Sequence, residues 1–367
     1  MKVALLVPGG VDRSGTHRVI PCILWLIERL VAAEASVHVF ALAQEPVPGR
    51  WPLLGAQVHN AGSRPRRARM LAQVVAEHRR GRFDVLHAFW AAHCGVVAAA
   101  AGRVLGVPVL LHLPGGDLTR LPDIGYGARN SRRGRLWVRV AAAGAACVVA
   151  PSRYVVEQAR ALGMNARRVP FGVALDRWPP RPPRRRDGAG PARLLHVGSI
   201  NRVKDQETLL RTAAGLRAAG VRFRLDVIGG DTLGGAVQRR AAELGLGGHV
   251  RFAGFLPHGE LRRWVDDAHL LVITSRHEAG PLVMLEAAVA GVPTAGTAVG
   301  HLAHWAPHAA AAVPVGDHAA LAREIARLLG DEDARLRMAA LAQEKALAED
   351  ADFTAREILA LYAELAG

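Results

Sequence analysis

The chain has few cysteines, lysines and aromatic residues and no long unbroken apolar run. Its three cysteines, Cys22, Cys94 and Cys147, lie in apolar surroundings without the spacing of a metal site. That excludes a disulfide-stapled scaffold and reads as reduced core thiols in a cytoplasmic protein. No stretch is apolar over the length a bilayer demands: residues 20–33 are interrupted by Glu28 and Arg29, and residues 138–150 are short and alanine-rich. The opening residues 1–7 run directly into Pro8-Gly9-Gly10, too short for a secretory apolar region.

Lysine is confined to Lys2, Lys204 and Lys345, so the net charge of +15 is almost entirely arginine. A basic surface gathers anions. Aromatic residues make up only 5% of the chain, and none interleaves with the basic runs at 64–69, 78–82, 129–135 and 181–186. Without such stacking platforms nucleic acid is not an expected partner. An arginine-rich helix over 64–82 would suit peripheral contact with an anionic membrane at its inner face, or else a solvated surface.

With 367 residues, 50% hydrophobic content and a mean hydropathy of +0.13, the chain can bury two cores. Short apolar runs at 2–7, 37–42, 84–88, 107–112 and 146–150 alternate with helical patterns at 19–33 and 68–80. The second half repeats the design with runs at 193–197, 224–228, 249–252 and 269–274. Such alternation predicts an α/β chain of two doubly wound, Rossmann-like parallel sheets. Residues 178–191, WPPRPPRRRDGAGP, cannot build regular structure and mark a linker between domains at 1–177 and 192–351.

The most informative segment is residues 275–287, SRHEAGPLVMLEA. A buried strand at 269–274 precedes it, and Gly280-Pro281 opens a helix with proline expected at its first position. The free N–H groups of Leu282 and Val283 at that start favour an anion such as a pyrophosphate. Glu286 stands among apolar neighbours in the helix, so its carboxylate needs donors, and ribose hydroxyls are suitable ones. Glu278 precedes the helix at the same pocket mouth. The alternative is that Glu278 is a solvated loop acid and Glu286 a helix-surface acid in a salt bridge.

This segment resembles the signature of retaining glycosyltransferases of family 4, the glycosyl transferases group 1, with their two glutamates separated by seven residues. The resemblance implies a GT-B fold, two Rossmann-like domains facing a central cleft. It implies that Glu286 binds the donor ribose, that Glu278 contacts the transferred sugar, and that Gly280, Leu282 and Val283 hold phosphate. It also implies that the amphipathic stretch 352–367 returns to complete the first domain. Ala279-Gly280-Pro281 replaces the Gly-Phe-Gly run of many members. Residues 198–204, GSINRVK, resemble the loop that brings cations to the diphosphate; Lys204 matches, Ser199 stands where an arginine is usual, and Arg202 is the substitute. Gly15 belongs to a glycine loop similar to that of the family, and this loop lacks the G-x-G-x-x-G dinucleotide fingerprint. In residues 111–117, LHLPGGD, Asp117 matches the family's acceptor side, while Pro114 occupies its histidine position and His112 lies two residues earlier.

The resemblance thus implies sugar transfer from a nucleotide-diphosphate donor to a sugar or lipid-linked acceptor hydroxyl, in envelope, polysaccharide or glycolipid synthesis, with no cofactor and no metal. Asp331-Glu332-Asp333 and Asp350-Ala351-Asp352 have the spacing of a metal clamp but read as solvated helical residues, and His301, His304 and His308 as exposed helix histidines. A non-catalytic nucleotide-sugar-binding scaffold and a nucleotide-sugar epimerase are the competing readings.

Overall fold

The computed structural model describes residues 1–186 and 190–367, so residues 187–189 of the expected linker lie outside the described residues. The chain divides into two units, residues 1–174 with 351–367 and residues 175–350, each with its own sheet.

In the first unit β1 (Lys2–Val7), β2 (Ser36–Ala41), β3 (Gly49–Leu53), β4 (Ala56–Asn60), β5 (Val85–Phe89), β6 (Val109–His112), β7 (Cys147–Ala150) and β8 (Ala166–Arg168) form one sheet. Its order is β3-β4-β2-β1-β5-β6-β7-β8, parallel throughout except where β3 runs against β4. β5 and β6 are buried along their whole length, as expected of parallel strands covered on both faces. The helices are α1 (Pro21–Ala32), α2 (Arg66–Arg80), α3 (Val96–Leu105), α4 (Arg132–Ala143) and α5 (Arg153–Arg160). The C-terminal helix Ala351–Ala366 also belongs to this unit: Arg29 Nε reaches Asp352 Oδ1 at 2.9 Å, and the fully buried Tyr362 hydroxyl meets His87 Nδ1 at 2.7 Å.

The β3–β4 hairpin is absent from the sequence reading. Leu54 and Gly55, at φ +53° and +81°, make its two-residue turn. Pro52 would argue against a strand, but β3 is the sheet edge, where a missing N–H breaks no ladder.

The second unit holds β9 (Ala192–Val197), β10 (Phe223–Ile228), β11 (Val250–Gly254), β12 (Leu270–Ile273), β13 (Thr294–Thr297) and β14 (Ala311–Val313). All pair in parallel, in the order β11-β10-β9-β12-β13-β14. Its helices are α6 (Gln206–Ala218), α7 (Ala236–Glu243), α8 (His258–Asp267), α9 (Leu282–Val289), α10 (Leu302–Trp305), α11 (His318–Gly330) and α12 (Glu332–Ala348). β13 (TAGT) and β14 (AAV) escape a propensity reading because their residues are small. Small residues are what the packing needs, since a Cβ on Gly296 would lie 2.1 Å from the Ile273 oxygen.

Residues 178–186 have no regular structure but are anchored to the second unit. Trp178 is buried, Arg181 N–H donates to the Val289 oxygen at 3.1 Å, and Arg186 Nε binds Glu332 Oε2 at 3.1 Å. Three expectations are corrected. Glu332 is not solvated: burial alone would raise its pKa, yet Arg335 and Arg186 hold it at about 2. His301 is buried against Trp305, with His304 and His308 exposed. Pro281 is the N-cap of α9, with extended backbone, and Leu282 is the first helical residue. Among the described residues no helix is long and apolar enough to cross a membrane.

Candidate functional site

In the second sheet the strand order runs outward on either side of the β9–β12 pair. Open parallel sheets leave a crevice at the carboxyl ends of such a pair. The chain leaving β9 carries Lys204 there, and the chain leaving β12 carries Glu278. The two side chains meet, with Lys204 Nζ 2.5 Å from Glu278 Oε1, and Ser275 Oγ donates to the same oxygen at 2.5 Å. Both partners keep some exposure, 25% for the lysine side chain and 12% for the glutamate.

The backbone fixes this meeting. Asn201 Oδ1 accepts the N–H groups of Val203 and Lys204, each at 3.1 Å, and so folds the loop after β9. Arg276 N–H donates to the Val203 oxygen at 2.8 Å, and Thr274 Oγ1 donates to the Lys204 oxygen at 3.0 Å, which ties the two loops together. Gly198 lies under the lysine stem, and Gly229 must be glycine because a Cβ there would come 2.0 Å from the Gly198 oxygen. Beneath the loops His196 donates from Nδ1 to the Val272 oxygen at 3.0 Å, and burial pulls its pKa to about 4, so it is neutral.

Gly280 is half-buried at the approach to α9. The N–H groups of Leu282 and Val283 have no acceptor among the described residues, and no side chain caps the helix. Glu286 is 2% exposed. Its Oε1 lies 2.5 Å from His258 Nε2, at the start of α8, and Oε2 has no hydrogen-bond partner among the described residues. Trp178 Nε1 donates to the Glu286 backbone oxygen at 2.9 Å, and its ring lies 5.4 Å from that of His258. Sequence reasoning missed Ser275, His258 and Trp178. Only the Pro257-His258 helix start could have drawn notice to the second of these. Arg202 is exposed and makes no hydrogen bond or ion pair with a described residue.

The first unit treats its expected residues differently. Gly15, at φ +66°, closes a turn by donating to the Asp12 oxygen at 3.0 Å. The preceding amides of Gly10 and Val11 are taken up by Gln44 Oε1 at 2.6 and 3.0 Å. His112, a candidate on the acceptor side or else a strand-end residue, is at the strand end. It is wholly buried at the end of β6, stacked on Phe171 at 4.3 Å, and burial pushes its pKa down to about 3. Asp117 is 2% exposed and accepts the Ala92 N–H at 3.3 Å, so it caps the π-helical turn Trp90–Gly95. Burial raises its pKa to about 7. Gly115 is required beside this turn, since a Cβ would sit 2.3 Å from Trp90 Nε1.

Residues 184–345 match the family described as Glycosyl transferases group 1, and residues 19–172 match the Glycosyl transferase 4-like domain. A D-inositol 3-phosphate glycosyltransferase of Frankia alni is 32% identical over 314 residues, 78% of this chain and 75% of that protein. Another of that name, from Thermomonospora curvata, is 28% identical across 97% of this chain and 91% of its own length. Among solved structures, sucrose-phosphate synthase from Thermosynechococcus elongatus superposes with a TM-score of 0.81 at 21% identity, covering 100% of this chain and 99% of the other. HepE of Anabaena, solved in complex with UDP and glucose, gives 0.77 at 19% identity with 100% of both chains covered.

Proposed function

The chain belongs to the glycosyl transferases group 1 family and is a glycosyltransferase of GT-B fold; from that premise we propose that it transfers a sugar from a nucleoside-diphosphate donor, with retention, through the second-unit site. The observation that carries this reading is the 2.5 Å Lys204–Glu278 pair at the switch point of the second sheet. The two unused amides at the start of α9 follow it in the chain.

In this reading the donor diphosphate lies against the Lys204 ammonium and the amides of Leu282 and Val283, with Gly280 allowing close approach. Arg202 adds a second cation from the same loop as Lys204. The incoming phosphate draws Lys204 away from Glu278, which turns to the hydroxyls of the transferred sugar. Glu286 takes a ribose hydroxyl on the oxygen that His258 does not hold. The bond from the anomeric carbon to the diphosphate oxygen then breaks. The acceptor oxygen bonds to that carbon on the same face, and its proton passes to the departing phosphate. Positive charge beside the leaving group lowers the barrier. The relatives named for D-inositol 3-phosphate favour a hydroxyl-rich acceptor, in keeping with a sugar or lipid-linked sugar met in the cytoplasm.

The test is a thermal-shift panel with UDP, GDP, ADP and their sugar conjugates on the wild type and Glu286→Ala. Stabilisation by one nucleotide, lost in the variant, is the expected result. No response to any of them removes the donor site and leaves a scaffold of the same fold.

A further inference from the structure

Helix α4, RRGRLWVRVAAA, contains no acidic residue, and residues 118–150 hold six arginines against the single acid Asp123. Large apolar side chains on this helix face outward, Leu136 at 57% and Val140 at 46% exposure, one turn apart. Arg132, Arg133 and Arg139 are exposed on the same helix. At the end of neighbouring α3, Val104 is 70% exposed. The two helices form a close-packed platform: a Cβ on Gly95 would come 2.9 Å from that of Ala141, and one on Gly144 2.6 Å from that of Ala99. Beside α4 opens a cavity of about 520 Å³, lined by Arg129, Arg135 and Arg139, and by Arg167, which is paired with Glu364 at 2.6 and 2.7 Å, with Val138 and Met164 among its apolar walls.

Two outward aliphatic side chains one turn apart, flanked by arginines, suit a ligand that is apolar within and anionic at its boundary. We propose that the outer face of α4, with the arginine-lined cavity beside it, docks on a bilayer containing acidic phospholipids. Leu136 and Val140 enter the acyl boundary, Arg132 and Arg139 extend to the phosphates, and the cavity receives a headgroup. Trp137, held between Arg67 at 3.6 Å and Arg133 at 4.3 Å, stiffens the helix at that depth.

This moves the docking face away from the basic helix that the sequence points to. On α2, Arg80 pairs with Glu77 and Arg69 donates to the oxygens of Ala61 and Ser63. Arg67 donates to the Ala92 oxygen, and the helix exposes no large apolar residue. The inference concerns the first unit alone and stands apart from the donor reading.

Sedimentation of the full-length protein with phosphatidylcholine vesicles, with and without phosphatidylglycerol, tests it. Binding is expected only to the anionic vesicles and weakens as salt is raised. Leu136→Glu with Val140→Glu, and separately Arg132→Glu with Arg139→Glu, should each lower partitioning about tenfold or more. These positions are exposed, so melting temperatures and nucleotide thermal shifts should match the wild type. Absent binding to anionic vesicles, equal partitioning of the variants, or a dimer in ultracentrifugation that the same substitutions dissolve would each overturn the proposal.

Discussion

The carboxyl ends of β6 and β12 offer the same opportunity and use it in opposite ways. Each is a short, fully buried parallel strand followed by a glycine-containing loop with charged or titratable residues. After β12 Ser275 and Glu286 are buried, but the Lys204–Glu278 pair stays at the edge of solvent, where a ligand can reach it. Around β6 the polar groups are enclosed: His112 lies in an aromatic stack, and Asp117 gives Oδ1 to a helical turn while its Oδ2 is buried without a partner among the described residues. Desolvation leaves His112 neutral, with a pKa of about 3, and holds Asp117 at about 7. The strand end is thus a place where a site can be built, and the loop decides whether it becomes one. A binding group needs hydrogen-bonding capacity that a ligand can reach; a structural one has it used up or walled off.

Substitutions at four positions sharpen or break this contrast. Lys204→Ala should lower donor turnover, read as nucleoside diphosphate release, by about 10²–10³-fold, the usual cost of one preorganised electrostatic group. Its melting temperature should stay near that of the wild type, because the lysine is partly exposed. His112→Ala should do the reverse. It leaves a void beside Phe171 and should cost about 2–4 kcal/mol in denaturant unfolding, while the folded fraction keeps its nucleotide affinity.

Asp117→Asn tests the buried acid through pH. The native carboxyl titrates near 7 whereas the unfolded chain releases its proton near 3.8, so between these values the native state binds more protons and stability falls as pH rises. Below about pH 4 both states are protonated and the penalty vanishes. Asparagine keeps an acceptor for the Ala92 amide. Its stability relative to the wild type should therefore climb from pH 4 to pH 7 by at most a few kcal/mol, measured by urea unfolding at fixed pH. A flat difference would mean that Asp117 is ionised in the fold.

The smallest effect is expected at His258. His258→Ala frees the carboxylate of Glu286 and should weaken nucleotide binding about tenfold, the worth of one charge-assisted hydrogen bond. Partial recovery in His258→Gln would assign it a positioning part rather than a packing one.

Much of the second-unit site was legible because it is local. Glu278, the start of α9 and Glu286 fall within one strand-turn-helix segment, where spacing and apolar surroundings carry the geometry. Lys204 stood out as one of three lysines in an arginine-rich chain. The partners that complete the site were not legible, since His258 and Trp178 reach Glu286 from 28 and 108 residues away. The place of His112 was not legible for a related reason. Nothing beside it in the chain announces that Phe171, from a distant loop, closes over its ring. Among the strands, those rich in valine, leucine and isoleucine were readable. β13 and β14 were not, because their small residues are selected by close backbone approach.

Titration calorimetry with UDP, GDP and ADP on the wild type, Lys204→Ala and His112→Ala tests the central claim most directly. The account predicts that one nucleoside diphosphate binds the wild type, that Lys204→Ala weakens it at least about tenfold, and that folded His112→Ala binds it normally. Binding unaffected by Lys204→Ala, or lost in the folded His112 variant, would contradict it.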